Sequence, residues 1–284
     1  MAVRDLVPYL AVRALLAREL QPYALAGYAL ACAVDDLVDG AGPLSRRTVE
    51  LERWAERLLA AVATGRSSDP LLRAYAHAFA ACGQRQVHLE EYLAGARTDL
   101  DFAGFTTEAD YQEYIDRVTL PFLMVTAGLQ YPGGGGGAVR ARWRLVADSS
   151  QRLDFLADLS VDLRQGRLYL PTEDLERFGV ARADLERARS TPGVRALLAD
   201  ACARTRATLT AARSVLAVAT AGYSPLMAGV LGVQEQQLRA VERRGPGVLR
   251  RPLGAGLRHA LLAMVQENRR TAEVGERADH SEIV

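Results

Sequence analysis

"LDFLADLSVDLRQGRLYLP", residues 153–171, carries three aspartates at intervals of four, Asp154, Asp158 and Asp162, in a run that is otherwise almost wholly apolar. A step of four residues turns a side chain through about 40° on an α-helix. The three acids therefore form one stripe on a helix whose other positions include Leu153, Phe155, Leu156, Leu159, Val161 and Leu163. Like charges along an apolar helix repel one another and lose hydration when packed, so they need compensation. Divalent cations that prefer oxygen ligands supply it. Magnesium keeps several waters and takes one or two carboxylates together with substrate phosphate oxygens. Arg164 and Arg167, just past the stripe, are placed to meet the remaining phosphate charge with paired donors.

A second acidic cluster lies in "CAVDDLVDG", residues 32–40. On a helix Asp35 and Asp39 share a face and Asp36 lies about 100° round, close enough to serve the same ion. Either cluster alone reads as readily as a solvated helix face. Two of them, each embedded in oily sequence and one followed by arginines, point to a metal-assisted diphosphate site.

The rest of the chain bounds the reading. Of 284 residues, 49% are apolar, and 35 basic side chains against 34 acidic ones leave a formal net charge of +1. That balance gives no global field to hold nucleic acid or an anionic membrane, so an anion must be bound by a local site. Cys32, Cys82 and Cys202 fit neither a disulfide framework nor a zinc site and read as core thiols in a reducing compartment. The first twenty residues interrupt their apolar positions with Arg4, Asp5, Arg13, Arg18 and Glu19, as an amphipathic helix does and a signal peptide does not. The longest oily stretch, residues 23–34, is too short to span a bilayer. A cytoplasmic protein without an integral membrane segment is expected.

Apolar residues recur at three and four positions in most windows, strand-type alternation is scarce, and Gly and Pro punctuate the chain at 40–43, 65–70, 131–137, 190–193, 222–225 and 243–247. The expectation is an all-α chain forming one domain over residues 1–270, with a frayed tail at 271–284. The five-glycine run reads as a helix-to-helix loop, since no Lys and Ser or Thr follow it as a phosphate cradle requires. The stretch 195–221 reads as one amphipathic structural helix.

"YALACAVDDLVD" together with "DLRQGRLYLP" resembles the squalene and phytoene synthase family, an all-α branch of the isoprenyl diphosphate synthases. The second motif keeps Gln151, Asp158, Asp162, Gly166, Arg167, Tyr169, Leu170 and Pro171 in register. The resemblance implies a helical bundle of the isoprenoid synthase type around a central active-site cavity. It also implies that Asp35, Asp36, Asp39, Asp158 and Asp162 bind magnesium ions gripping an allylic prenyl diphosphate, with Arg167 aiding. Ionisation of the donor would give an allylic cation that a dry apolar cavity protects from water.

The departures from the family pattern cluster at the expected site. Cys32 stands where the family has Arg; Asp154, Ala157 and Val161 stand where it has Asn, Arg and Glu; and "RVTLPFLMV" (117–125) replaces a stretch of small residues with Leu120, Pro121, Phe122 and Leu123. Fewer cationic donors and a fuller central helix favour a short donor, such as dimethylallyl diphosphate, and an aromatic acceptor such as a carbazole, as in the family's aromatic prenyltransferase branch of secondary metabolism. Asp154 is then a candidate base for the ring proton or an added metal ligand. The alternative is head-to-head condensation of two prenyl diphosphates; a terpene cyclase and an inactive scaffold partnering a true synthase are further readings. Tyr28, Phe122 and Tyr169 could wall a cation or simply pack. His77, His88, His259 and His280 have no ligand spacing, Arg250 and Arg251 sit in a loop-like stretch, and no nucleotide fingerprint is present. No exposed apolar stripe demands an oligomer.

Overall fold

The computed structural model describes residues 6–253, all helix, turn or irregular connection, with no strand among them. In chain order the helices are α1 (Leu6–Leu15), α2 (Gln21–Val38), α3 (Leu44–Thr64), α4 (Pro70–Ala81), α5 (Gln86–Asp99), α6 (Glu108–Tyr114), α7 (Leu120–Ala127), α8 (Gly136–Arg164), α9 (Thr172–Arg177), α10 (Arg182–Glu186), α11 (Pro192–Ala212) and α12 (Ser224–Arg244). The punctuation read from the sequence does set these bounds. Proline occupies the first turn of α2, α4, α7, α11 and α12, where its missing N–H costs nothing. Asp69 caps α4 by accepting from the N–H of Leu71 at 3.0 Å, Thr191 caps α11 by accepting from Val194 at 3.1 Å, and Gly65 ends α3 at φ 67.

The described chain divides into two compact units, one holding residues 6–18, 152–170 and 174–253, the other 19–151 and 171–173. In the second unit, Leu30, Val34 and Val38 of α2 pack with Leu58 of α3, Tyr75 of α4 and Tyr92 of α5 in one apolar core. Between α6 and α7 the chain widens into a π-helical turn, Ile115–Thr119, just before Pro121. Such a turn relieves the backbone where proline cannot donate. It also pushes the Arg117 carbonyl toward α5, where only Gly95 leaves room: a methyl there would lie 2.5 Å from that oxygen. Leu120, Pro121, Met124 and Val125 are buried, while Phe122 and Leu123 stay partly exposed.

In the first unit, α1 packs on α12, with Leu15 so close to Gly229 that an added methyl would meet it at 2.5 Å. Buried Asp174 pairs with Arg204 and, at 3.2 Å, with Arg177, which also holds Asp200 at 2.6 Å. The Leu253 N–H donates to the Ala157 carbonyl at 2.9 Å, tying the end of the described chain to α8.

Two expectations change in detail. The glycine run is less free than a plain loop, because Pro132–Gly134 forms a 3-10 turn and buried Gly134 lies against the His88 ring. The helix read at 195–221 ends at Ala212 and continues only as a 3-10 segment, Arg213–Ala217; the β-branched Val215, Val218 and Thr220 ahead of Gly222 favour an early end. The boundary at 270, the tail at 271–284, His259 and His280 lie outside the described residues.

Candidate active site

The first acidic motif sits at the C-terminal end of α2. Asp35 and Asp36 occupy its last turn, Asp39 is the residue that caps it, and all three are exposed. The helix dipole is negative there, so each acid adds charge where the backbone already carries it, an arrangement that costs about 0.3–1 kcal/mol per group. Arg47 of α3 answers part of that charge by donating to the Val38 carbonyl from one guanidinium nitrogen and to the Leu100 carbonyl, at 3.4 Å, from another. The end of α2 is thereby fixed to the end of α5.

The second motif repeats the pattern. Asp158 and Asp162 lie in the last two turns of α8, which ends at Arg164. Asp158 is exposed and Asp162 half-buried, and loss of hydration raises the Asp158 carboxyl above its ordinary range. Asp154 is accessible at its surface yet set among dense protein. Loss of hydration first, then repulsion from Asp158 and Asp162, pushes its carboxyl up to about 6. A stripe arranged against both hydration and the helix dipole is one that a cation relieves.

Past α8 the chain turns through Gly166 at φ 76, whose carbonyl accepts from Arg182 at 2.7 Å. The Arg167 N–H returns to the Asp162 backbone carbonyl at 2.8 Å, which closes the turn at the end of α8. Its guanidinium donates to the Tyr169 hydroxyl at 3.4 Å, and the Tyr169 ring stacks on Phe155 with centroids 4.1 Å apart. Arg164 is exposed. Asp154, Asp158, Asp162, Arg164, Arg167 and Tyr169 thus belong to one unit, and Asp35, Asp36, Asp39, Tyr28 and Phe122 to the other. Phe122 packs on Tyr92 with centroids 6.0 Å apart, and Tyr28 is half-buried on α2.

Among the described residues, no three His, Cys, Asp or Glu side chains converge closely enough to hold a bare metal ion. No helix among them is long and apolar enough to cross a membrane. Cys82 and Cys202 are buried thiols and Cys32 is half-buried, none of them in a disulfide. Sequence reasoning missed Arg47 and Tyr92. The first reads as one of two solvated arginines at the start of α3, the second as one apolar-face residue of α5, and only packing between helices sets them apart.

An all-helical chain with two aspartate motifs at helix C-termini, the second running into Gly-Arg-Leu-Tyr-Leu-Pro, has the plan of an isoprenoid synthase. Residues 8–275 match squalene/phytoene synthase, and the chain belongs to that family, whose members are prenyl-transferring enzymes. It is 31% identical over 201 residues to the bifunctional protein CrtB/UppS of Streptomyces coelicolor, a match covering 70% of this chain and 34% of that protein. It is 34% identical over 121 residues to a phytoene synthase of Thermus thermophilus, covering 43% of this chain and 40% of the relative. The chain thus spans between about a third and about two fifths of the length of these relatives. The solved squalene synthase HpnC from Alicyclobacillus acidocaldarius superposes with a TM-score of 0.73 at 25% identity, covering 83% of this chain and 88% of that one. A dehydrosqualene synthase shares the fold at a TM-score of 0.79 and 21% identity, over 93% and 91% of the two chains.

Proposed function

We propose that this protein condenses two prenyl diphosphates head to head. The observation that carries the reading is the placement of both aspartate motifs at helix C-termini, where carboxylates destabilise the protein unless a cation and its anionic ligand join them. The named relatives support it, being phytoene, presqualene diphosphate, squalene and dehydrosqualene synthases. This reverses the preference drawn from the sequence, which favoured an aromatic acceptor.

The donor set fits magnesium. It is all oxygen, it is exposed but for the half-buried Asp162, and it does not close around a bare ion; magnesium keeps its waters and takes remaining ligands from phosphate. Each motif would hold its own, through Asp35, Asp36 and Asp39 in one unit and through Asp158 and Asp162 in the other. When bound, the metal supplies electrostatic withdrawal from the leaving diphosphate. The chain's own residues do the rest. Arg167, fixed by its backbone bond to Asp162, offers a guanidinium to the diphosphate. Tyr169, pinned on Phe155, holds that guanidinium in place. Phe122 and Tyr28 offer ring faces to developing positive charge.

One observation favours the second reading, transfer of a short prenyl group to an aromatic ring. Ala157, where the family pattern has Arg, is buried and its carbonyl is bonded to Leu253, so the cationic donor lost there is not replaced in situ. Mass spectrometry separates the two. Purified protein with magnesium is given farnesyl or geranylgeranyl diphosphate alone, or dimethylallyl diphosphate with aromatic acceptors. A C30 or C40 product from a single long diphosphate supports head-to-head condensation; a prenylated aromatic formed only from the short donor overturns it.

A further inference from the structure

The phenol of Tyr92 is the polar group that the core leaves without an answer. Tyr92 lies on α5, is only 3% exposed, and packs in the core that holds Leu30, Val34 and Val38 of α2. Its ring is tilted on Phe122, so the hydroxyl end is fixed in direction. That hydroxyl is buried and has no hydrogen-bond partner among the described residues. The same core satisfies its other phenol: the Tyr75 hydroxyl, equally buried, donates to Gln84 Oε1 at 3.0 Å, and Gln84 donates on to the Val125 carbonyl at 2.8 Å. An unpaired buried hydroxyl is a standing cost, and a phenylalanine would fit the apolar contacts without it.

The surroundings of the phenol say what it is for. Burial raises its pKa well above the ordinary tyrosine range, and the negative charge of Asp35 is the next contributor, followed by Tyr75 and Cys32. Cys32 and Asp35 stand one turn apart on one face of α2, and Asp35 follows directly on Val34, a member of the core in which Tyr92 packs. A carboxylate that gives one oxygen to a hard cation turns the other toward its protein neighbours, and a donor there fixes its rotamer.

We propose that Tyr92 is a positioning residue for the first acidic motif, donating its hydroxyl to the Asp35 carboxylate when a divalent cation and a diphosphate draw that carboxylate into place. The inference rests on the diphosphate reading given above. The phenol is an unpaired donor in the protein alone and a paired one in the loaded protein.

The test is thermal unfolding of the full chain, titrated with magnesium at fixed inorganic pyrophosphate, for wild type, Tyr92→Phe and Tyr75→Phe. Tyr92→Phe keeps the ring and its contact with Phe122, so its midpoint without ligand is not lowered; the magnesium concentration for half-maximal stabilisation rises about tenfold. Tyr75→Phe loses a made hydrogen bond, so its midpoint without ligand falls while its magnesium requirement stays that of wild type. A Tyr92→Phe protein with the wild-type magnesium requirement overturns the role of Tyr92 and leaves the diphosphate reading standing. A wild-type protein that magnesium and pyrophosphate do not stabilise overturns both.

Discussion

The ring of Tyr169 lies flat on that of Phe155, centroids 4.1 Å apart and planes inclined by 2°. Phe155 is the neighbour of Asp154 on the acidic stripe, and Tyr169 accepts from Arg167, so the stack clamps the turn that follows α8 against the helix it leaves. The pair should be coupled energetically. In a double-mutant cycle with Phe155→Leu and Tyr169→Leu, followed by denaturant unfolding, the coupling is about 1 kcal/mol; a value near zero would mean the stack is incidental.

The acids themselves work against folding. Asp158→Asn removes a charge that burial disfavours, and Asp36→Asn removes one opposed to the helix dipole. Both variants should unfold at or above the wild-type temperature in metal-free buffer, while pyrophosphate release from a prenyl diphosphate falls by at least about a hundredfold, the loss of some 3 kcal/mol from the stabilised leaving group. Calorimetry and a coupled pyrophosphate assay read the two effects. Loss of stability with activity retained would mean that the aspartates are structural.

Gly95 and Gly137 separate close approach from plain helix propensity. At Gly95 a methyl would meet the Arg117 carbonyl at 2.5 Å and the Val118 Cα at 3.1 Å, whereas nothing lies within 4 Å at Gly137. Gly95→Ala is expected to cost about 1–3 kcal/mol in urea unfolding, and Gly137→Ala to stabilise by about 0.5 kcal/mol. Equal effects at the two positions would show that the π-helical turn yields to α5.

Asp110 makes one part of the stability acid-sensitive. Its carboxylate accepts from the N–H groups of Thr107 at 2.8 Å and Thr106 at 2.9 Å, chiefly the former, which holds its pKa below the usual 3.8. A folded-state value below the unfolded one gives stability that is fully present above the unfolded value and is lost as pH falls through the folded one. Wild type should therefore exceed Asp110→Asn in stability at neutral pH, with the difference shrinking once pH falls below about 3.8 and vanishing only below the lower folded-state value. Unfolding midpoints measured across that range check it; a difference that persists in acid would assign the effect to shape instead of charge.

Much of this was legible in the sequence because it is local. Intervals of three and four marked the helices, Pro70, Pro192 and Pro225 marked starts, and the recurrence of Asp154, Asp158 and Asp162 marked the stripe. Asp35, Asp36 and Asp39 were legible as a triplet, but that they lie at the end of α2 instead of mid-helix depends on where the helix stops. Relations across the fold were not legible. Arg47 differs from Arg46 only in what it reaches, Val38 and Leu100 against Glu50. Tyr92 differs from Tyr75 only in lacking a Gln84. Pro121 was visible, yet its effect, a widened turn that needs Gly95 on a neighbouring helix, exists only once the helices pack.

The most direct test of head-to-head condensation is the stoichiometry of pyrophosphate released from farnesyl or geranylgeranyl diphosphate with magnesium and no other acceptor. The account predicts release under these conditions, with two prenyl diphosphates consumed for each product molecule. Release that requires an added aromatic compound, at one prenyl diphosphate per product, would contradict it.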